Sequence, residues 1–321
     1  MKDGRVIILH LVVIAALFAL QFVLPAYHHG ILARVMVLAT FAMGYNLLFG
    51  YAGLLSLGHA MFFAAGLYGA GLTVYHLGWP LPAAFAAGIG AGALLSLGIG
   101  LLALRTTGVA FMIVTMMFGQ VFHLVVIYFG GITRGDEGLT LSQAQRRFGW
   151  LDFTDPATRY FTALALFAIV LLATLAMVRS RFGRVLVAIR ENEERTRMLG
   201  YDTFATKLGA VVASGTICAA AGAAYALLFG YMGAGFAATA YSIPPLLWVL
   251  VGGAATVLGP LTGTVLMFYL VDLSNDALNR WLPGWDFSSI GVVGVALVLL
   301  ILFFPKGLLG SLRARWLRWL P

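Results

Sequence analysis

Few side chains in this sequence could do chemistry, and none stands at a spacing that chemistry uses. Cys218, the one cysteine, lies in an apolar run, where it closes no intramolecular disulfide and offers no metal-ligand spacing. His59 and His123 also lie in apolar runs, with no carboxylate at ligand or relay spacing. An ionisable residue inside a span reads as functional by default. A lone histidine near a glycine-rich bend is more often a packed, hydrogen-bonded residue, and that is the expectation here, with the functional reading kept as the alternative. No cluster of His, Asp, Glu or Cys points to an enzyme or a metal site. There is no G-x-x-x-x-G-K-S/T phosphate loop, so the expectation is that the chain binds no ATP and no other cofactor itself.

The composition says what surrounds these residues. Hydrophobic residues make up 61% of the 321 and charged residues 10%, against roughly 25% charged in a soluble domain. The mean hydropathy is +0.96. So much apolar surface has no place in a water-soluble core, and the lipid bilayer is the expected solvent. The net charge of +8 does not read as nucleic-acid binding, because the basic residues sit between apolar runs and set topology instead.

Apolar windows run over 6–24, 31–49, 54–75, 81–104, 108–129, 161–178, 205–229, 243–271 and 287–304. The first resembles a signal peptide, but it is longer than a usual apolar region and no clear cleavage site follows, so a retained first helix is expected. Lys2 and Arg5 put the N-terminus inside; the basic cluster at 179–207 and Lys306, Arg313, Arg315 and Arg318 put the inner loop and the C-terminus inside. Arg34, near the start of the second span, can snorkel to the headgroups. If 243–271 crossed once, the C-terminal arginines would finish outside. That stretch should therefore start and end on one side as two short helices. Gly259-Pro260 supplies the break and Gly252-Gly253 a second weak point. The expected fold is an all-α polytopic membrane protein of about ten segments, two of them short, with both termini inside.

A phrase appears twice. LLFGYAG ends the second span and LLFGYMG ends the seventh, and Tyr45 and Tyr225 extend the match upstream. With the sidedness above, one copy ends a helix running inward and the other a helix running outward. Segments two to five and seven to ten would then be two units of inverted topology, as in transporters with broken helices near a pseudo-two-fold axis. The expected layout is one membrane domain: a first helix at 6–24, one unit at 31–129, a linking helix at 161–178, an inner segment at 179–204, a second unit at 205–304 and an inner tail at 305–321.

Small residues follow each copy and let helices approach closely. The candidates for lining a translocation path are Ser56, Gly58 and His59 after the first copy, and Ser242, Pro244, Pro245, Gly252, Gly253, Gly259 and Pro260 after the second. Ser242 before Pro244-Pro245 reads as a helix start. It either points a helix N-terminus at an anionic group near the midplane or begins a helix at the outer surface. The inner stretch RSRFGRVLVAIRENEERTRMLGYD reads as a short amphipathic helix, with Glu191–Arg195 and Glu193–Arg197 at helical spacing and Gly200 at its end.

Four stretches, NLLFGYAGLLSLGHAMFFAAGLYGA, RSRFGRVLVAIRENEERTRMLGYD, LLWVLVGGAATVLGPLTGTVL and FFPKGLLG, together resemble the LivM-type permease subunits of branched-chain amino-acid ABC importers. The resemblance implies a subunit of the bacterial inner membrane that pairs with a LivH-like second permease. Two ATPase subunits, carrying ATP and Mg, would dock inside, and a periplasmic binding protein would deliver substrate outside. It also implies that Arg181, Gly183, Arg184, Ile189, Arg190, Glu191, Asn192, Glu193 and Gly200 belong to the element that touches the ATPases. The outer stretch FGGITRGDEGL departs from the family's compact turn by carrying Arg134, Asp136 and Glu137. Substrate or partner is open there, since relatives of this type carry urea, amides and aromatic acids as well as amino acids. An ion-coupled secondary transporter is the alternative; it would be expected to show a carboxylate in a span core, where this sequence has none clearly placed.

Overall fold

The computed structural model describes residues 2–149, 151–281, 291, 294–295, 298, 302–304 and 306–315. Among the described residues, seven helices are long and apolar enough to cross a membrane: α1 (Lys2–Val23), α2 (Ala26–Asn46), α3 (His59–Leu77), α4 (Leu81–Ala103), α5 (Val109–Tyr128), α6 (Pro156–Arg179) and α9 (Thr203–Phe229). Between α6 and α9 lie two short helices, α7 (Arg181–Glu191) and α8 (Glu193–Met198). Then come α10 (Ile243–Gly252), α11 (Gly259–Trp281) and α12 (Leu308–Arg315). The chain is thus a multi-pass, helical membrane protein.

Local polar residues punctuate the helices. Asp155, Ser180, Asn192 and Asp202 each stand before a helix and accept a free backbone N–H in its first turn, from Thr158, Gly183, Arg195 and Ala205. Pro156 follows its cap at a position where no donor is needed. The loop between α5 and α6 carries one helical turn at Gly130–Thr133 and a 3-10 turn at Ala144–Arg146. It forms strand β1 (Leu139–Thr140) and a small hairpin of β2 (Arg147–Phe148) and β3 (Leu151–Asp152). Strand β1 pairs antiparallel with β4 (Tyr231–Met232), just past α9, with Thr140 opposite Tyr231.

The core is a set of close backbone crossings. Helices α3, α4 and α9 pack on one another through Gly66 against Ala219, Gly88 against the Gly66 carbonyl, Gly215 against Ser96 and Gly222 against the Phe63 carbonyl. In lipid, where apolar side chains gain little by associating, such contacts supply the packing. Helices α2 and α9 cross antiparallel. The Arg34 guanidinium lies 5.3 Å from the Phe229 ring centroid, Cys218 Sγ lies 3.7 Å from the Phe41 carbonyl, and Ser214 Oγ donates to the Gly44 carbonyl at 2.6 Å. The copy of the phrase that ends α2 and the copy that ends α9 therefore lie at opposite ends of the bundle. Contacts are exchanged in the same way: α9 packs on α3 and α4, and α2 packs on α10 and α11.

Several boundaries differ from the sequence reading. Gly259-Pro260 does not break a helix but opens α11, because proline fits a first turn whose donors are free anyway. The break is the segment 253–258, and only the first of the two helices is short, with 10 residues against 23. Helix α3 begins at His59 rather than at position 54. The inner segment is two helices, because Asn192 leaves helical geometry (φ −160°, ψ 104°) and caps α8. Glu191 and Arg195 thus lie across a bend, whereas Glu193 and Arg197 do pair, at 3.3 Å. The expected span 287–304 lies largely outside the described residues, and the tail 305–321 is described over 306–315, most of it in α12.

The crossings give a stability prediction. A Cβ on Gly222 would run into the Phe63 carbonyl, whereas one on Gly90 meets nothing within 4 Å. Gly222→Ala should cost on the order of 1–3 kcal/mol by overpacking, and Gly90→Ala should be neutral or slightly stabilising. Thermal unfolding of the two variants in detergent reads the difference, and equal midpoints would refute the close crossing.

Candidate functional site

The repeated phrase contains a helix end, and the last carbonyls of a helix have no partner within it. The two copies end differently. After Asn46 the first widens into a π turn over Leu47–Tyr51, with the Ala52 N–H reaching the Leu47 carbonyl at 3.3 Å. The second stops at Gly230, in the left-handed region at φ 73°. Yet both are closed by an arginine from a distant segment. Arg190 of α7 donates to the Gly50 carbonyl. Arg146, from the loop before β2, donates to the carbonyls of Leu227 and Leu228 and to that of Phe153 at 2.8 Å. A cation at a helix C-terminus also meets the negative end of the helix dipole.

Beyond the first copy, the carbonyl-rich end of α2 touches the break between α10 and α11. Gly253 (φ 118°) and Ala255 (φ 57°) leave helical geometry there. The buried Asn46 side chain satisfies the freed backbone on both sides: its Nδ2 donates to the Thr256 carbonyl at 2.9 Å, and its Oδ1 accepts from the Ala255 N–H at 3.0 Å. Thr256 Oγ1 donates back to the Gly253 carbonyl at 2.7 Å. Glycines make the approach possible. A Cβ on Gly50 would lie 2.6 Å from the Ala255 nitrogen, and one on Gly253 2.8 Å from the Gly310 nitrogen. The closing GLLG stretch therefore packs against the break. A continuous line of contacts runs from Arg190 through Gly50 and Asn46 to 255–256.

The other sequence candidates gather at the start of α3. His59 Nε2 lies 3.0 Å from Ser214 Oγ; since that hydroxyl donates to Gly44, the ring must donate to it. The Tyr45 ring covers His59 at 4.3 Å, and Tyr45 Oη donates to the Ser56 carbonyl at 2.6 Å. His59 is fully buried and packed between these residues. His123 is likewise bonded to the Ala234 carbonyl, at 3.1 Å. Ser242 does not cap its own helix. Its Oγ accepts from the Ala60 N–H at 2.9 Å, so the start of α10 closes the start of α3, and two helix N-termini meet inside the bundle. Pro244 and Pro245 lie in the first turn of α10, as expected. Gly58 packs against Thr115 and Gly119 of α5. Beside it the exposed Gln120 accepts from Thr239 Oγ1 at 3.3 Å, a polar pair on an otherwise apolar helix face. Ser56, Gly252, Gly253, Gly259 and Pro260 are buried. The path candidates thus form two clusters, one at the meeting N-termini and one at the break.

Helices α7 and α8 divide the remaining candidates. Gly183 and Ile189 face the bundle, and Gly183 is there because a side chain would strike Val178 at the sharp turn from α6. Glu193 is tied to the buried Lys207 at 2.6 Å. Burial raises its pKa, but the hydrogen bond and charge of Lys207, with Thr203 and Arg197, outweigh that, and the net shift is downward. Arg181, Arg184, Arg190, Glu191, Asn192 and Gly200 are exposed. Gly200 (φ 86°) ends α8 with its N–H on the Arg197 carbonyl while the Tyr201 N–H reaches Thr196, a Schellman closure. That turn thrusts out an apolar tip which the sequence reading did not single out: Met198 is 85% exposed, Leu199 71% and Tyr201 51%.

The sequence profile of a family described as "Branched-chain amino acid transport system / permease component" matches residues 27–304. Among curated proteins, the high-affinity branched-chain amino acid transport system permease protein LivM of Salmonella typhimurium is 28% identical over 309 residues, covering 88% of this chain and 70% of that one. Its namesake from Escherichia coli is 28% identical over 304 residues, covering 87% and 69%. No solved structure matches the chain significantly.

Asn46 gives the test of this site. Asn46→Leu should remove both side-chain hydrogen bonds to the break, the one from Nδ2 to the Thr256 carbonyl and the one from the Ala255 N–H to Oδ1, at about 1–3 kcal/mol. Asn46→Asp keeps the acceptor and should cost less than Leu. Hydrogen exchange over 253–258 should rise in the same order, and protection unchanged in Asn46→Leu would contradict the assignment.

Proposed function

The chain belongs to the branched-chain amino acid transport permease family, and from that premise we propose that it is a membrane-spanning subunit of an ABC importer in the bacterial inner membrane. It pairs with a second, LivH-like permease. ATP and Mg are held by two ATPase subunits on the inner side, and a periplasmic protein delivers a branched-chain or related amino acid on the outer side. The two phrases at opposite ends of the bundle, and the exchanged packing of α2 and α9, support two units of inverted topology, with both termini inside.

The observation that carries the mechanism is the line from Arg190 through Gly50 and Asn46 to 255–256. An ATPase that grips the apolar tip at Met198–Leu199 and its arginine rim moves α7. Arg190 carries that motion to the end of α2, and Asn46 carries it to the break. The two meeting N-termini and the polar pair Gln120–Thr239 bound the path, with the second permease on the exposed face of α5. The charged turn at 134–137 lies at the end where β1 joins β4, opposite α7 and α8, and faces the binding protein.

Charge reversal tests the docking surface. Arg190 is unsuitable, since it also holds Gly50, whereas Arg184 and Arg195 are exposed. Arg184→Glu with Arg195→Glu should leave insertion and thermal stability intact and reduce co-purified ATPase by about tenfold or more. In the unmodified complex, a loaded binding protein should stimulate hydrolysis, and the stimulating ligand names the substrate. A chain that purifies alone and transports on an ion gradient would reject the importer reading.

A further inference from the structure

A cavity of about 570 Å³ opens between α2, α6, α10 and α11, at the end of the bundle where α9 finishes. Of the path candidates in the two clusters described above it shares Pro244 alone. Its walls are apolar and include Trp248, Met267 and Phe268, but three formal charges stand on it. The guanidinium groups of Arg34 and Arg159 both lie against the Phe229 ring, at 5.3 and 5.8 Å from its centroid. Arg159 also donates to the carbonyls of Phe153 and Thr154. Asp272 accepts from Tyr27 Oη at 3.2 Å. Among the described residues, neither arginine pairs with Asp272 or with any other carboxylate.

Arg34 is exposed and Arg159 and Asp272 are half-buried, so charges of both signs face one apolar-walled cavity without an ion pair between them, and an occupant carrying both an anionic and a cationic group would pair with both. We propose that this cavity binds a small zwitterion, its anionic group on Arg34 and Arg159 and its ammonium on Asp272, with the apolar remainder against Trp248 and Phe268. Two sources have this chemistry: a free amino acid in the aqueous phase and the headgroup of phosphatidylethanolamine. The inference rests on the cavity and not on the importer reading, so either can fail alone.

The single native cysteine is buried, which makes thiol labelling a clean readout. Val271, on the cavity wall and 38% exposed, is replaced in Val271→Cys, and Ile31→Cys on the facing helix serves as a second reporter. The purified chain is placed in nanodiscs of phosphatidylcholine or of phosphatidylethanolamine and labelled with a hydrophilic thiol reagent. In phosphatidylcholine, L-leucine should slow labelling, while isocaproate, which lacks the ammonium, and isoamylamine, which lacks the carboxylate, should not. Alternatively, phosphatidylethanolamine alone should slow it, which assigns the lipid as the source. In either case Asp272→Asn or Arg34→Gln should weaken protection about tenfold, the size of one lost charged hydrogen bond. Size-exclusion profile and thermal midpoint control for folding. Protection by neither zwitterion, protection untouched by both substitutions, or no labelling at either reporter would each overturn the proposal.

Discussion

A peptide group that reaches membrane depth without a hydrogen bond costs several kcal/mol, and this bundle interrupts its helices among buried residues such as Asn46, Ser242 and Thr256. The rest of the structure depends on how those interruptions are closed. Arg190 closes the end of α2 and Arg146 the end of α9. Asn46 closes the break before α11, and Ser242 closes the start of α3. In each case the donor or acceptor comes from another part of the chain, so the closures also tie the halves together.

This answers why the phrase is written twice. Leu-Leu-Phe-Gly-Tyr is a helix end finished by a partner: its leucines are buried and its glycine lets another backbone or an arginine approach. Gly50 admits Ala255, while Gly230 takes up a left-handed turn against Arg146. The same letters do different local work because the partners differ. At one end the partner belongs to the short helix α7, where Arg190 is exposed; at the other it belongs to a loop stitched to the chain by β1 and β4. Backbones touch along α3, α4 and α9, whereas at 253–258 side-chain hydrogen bonds from Asn46 and Thr256 hold the chain.

Much of this was legible in the sequence. Hydropathy marks the seven long helices, the basic clusters suggest the sides, and the repeat locates both helix ends. Pattern also finds the Glu193–Arg197 pair and the Gly200 turn, because both are local. What it misses is non-local. Asn46 is one amide at the end of an apolar run, and its partners lie far along the chain. Arg190 looks like a surface cation until Gly50 is seen beside it. Ser242 has the form of a cap, and it is one, but for another helix. Gly259-Pro260 reads as a break because proline ends helices from within, whereas here it starts one.

The account's central claim is that the two phrases finish at opposite faces of the membrane. Thr140→Cys marks the end where α9 stops, through its pairing with Tyr231. Arg195→Cys marks the end where Arg190 holds α2. Each is labelled with an impermeant thiol reagent in intact spheroplasts and in inverted vesicles, against the buried Cys218. The account predicts that Thr140→Cys reacts only in spheroplasts and Arg195→Cys only in inverted vesicles. Reaction of both from the same side would contradict it.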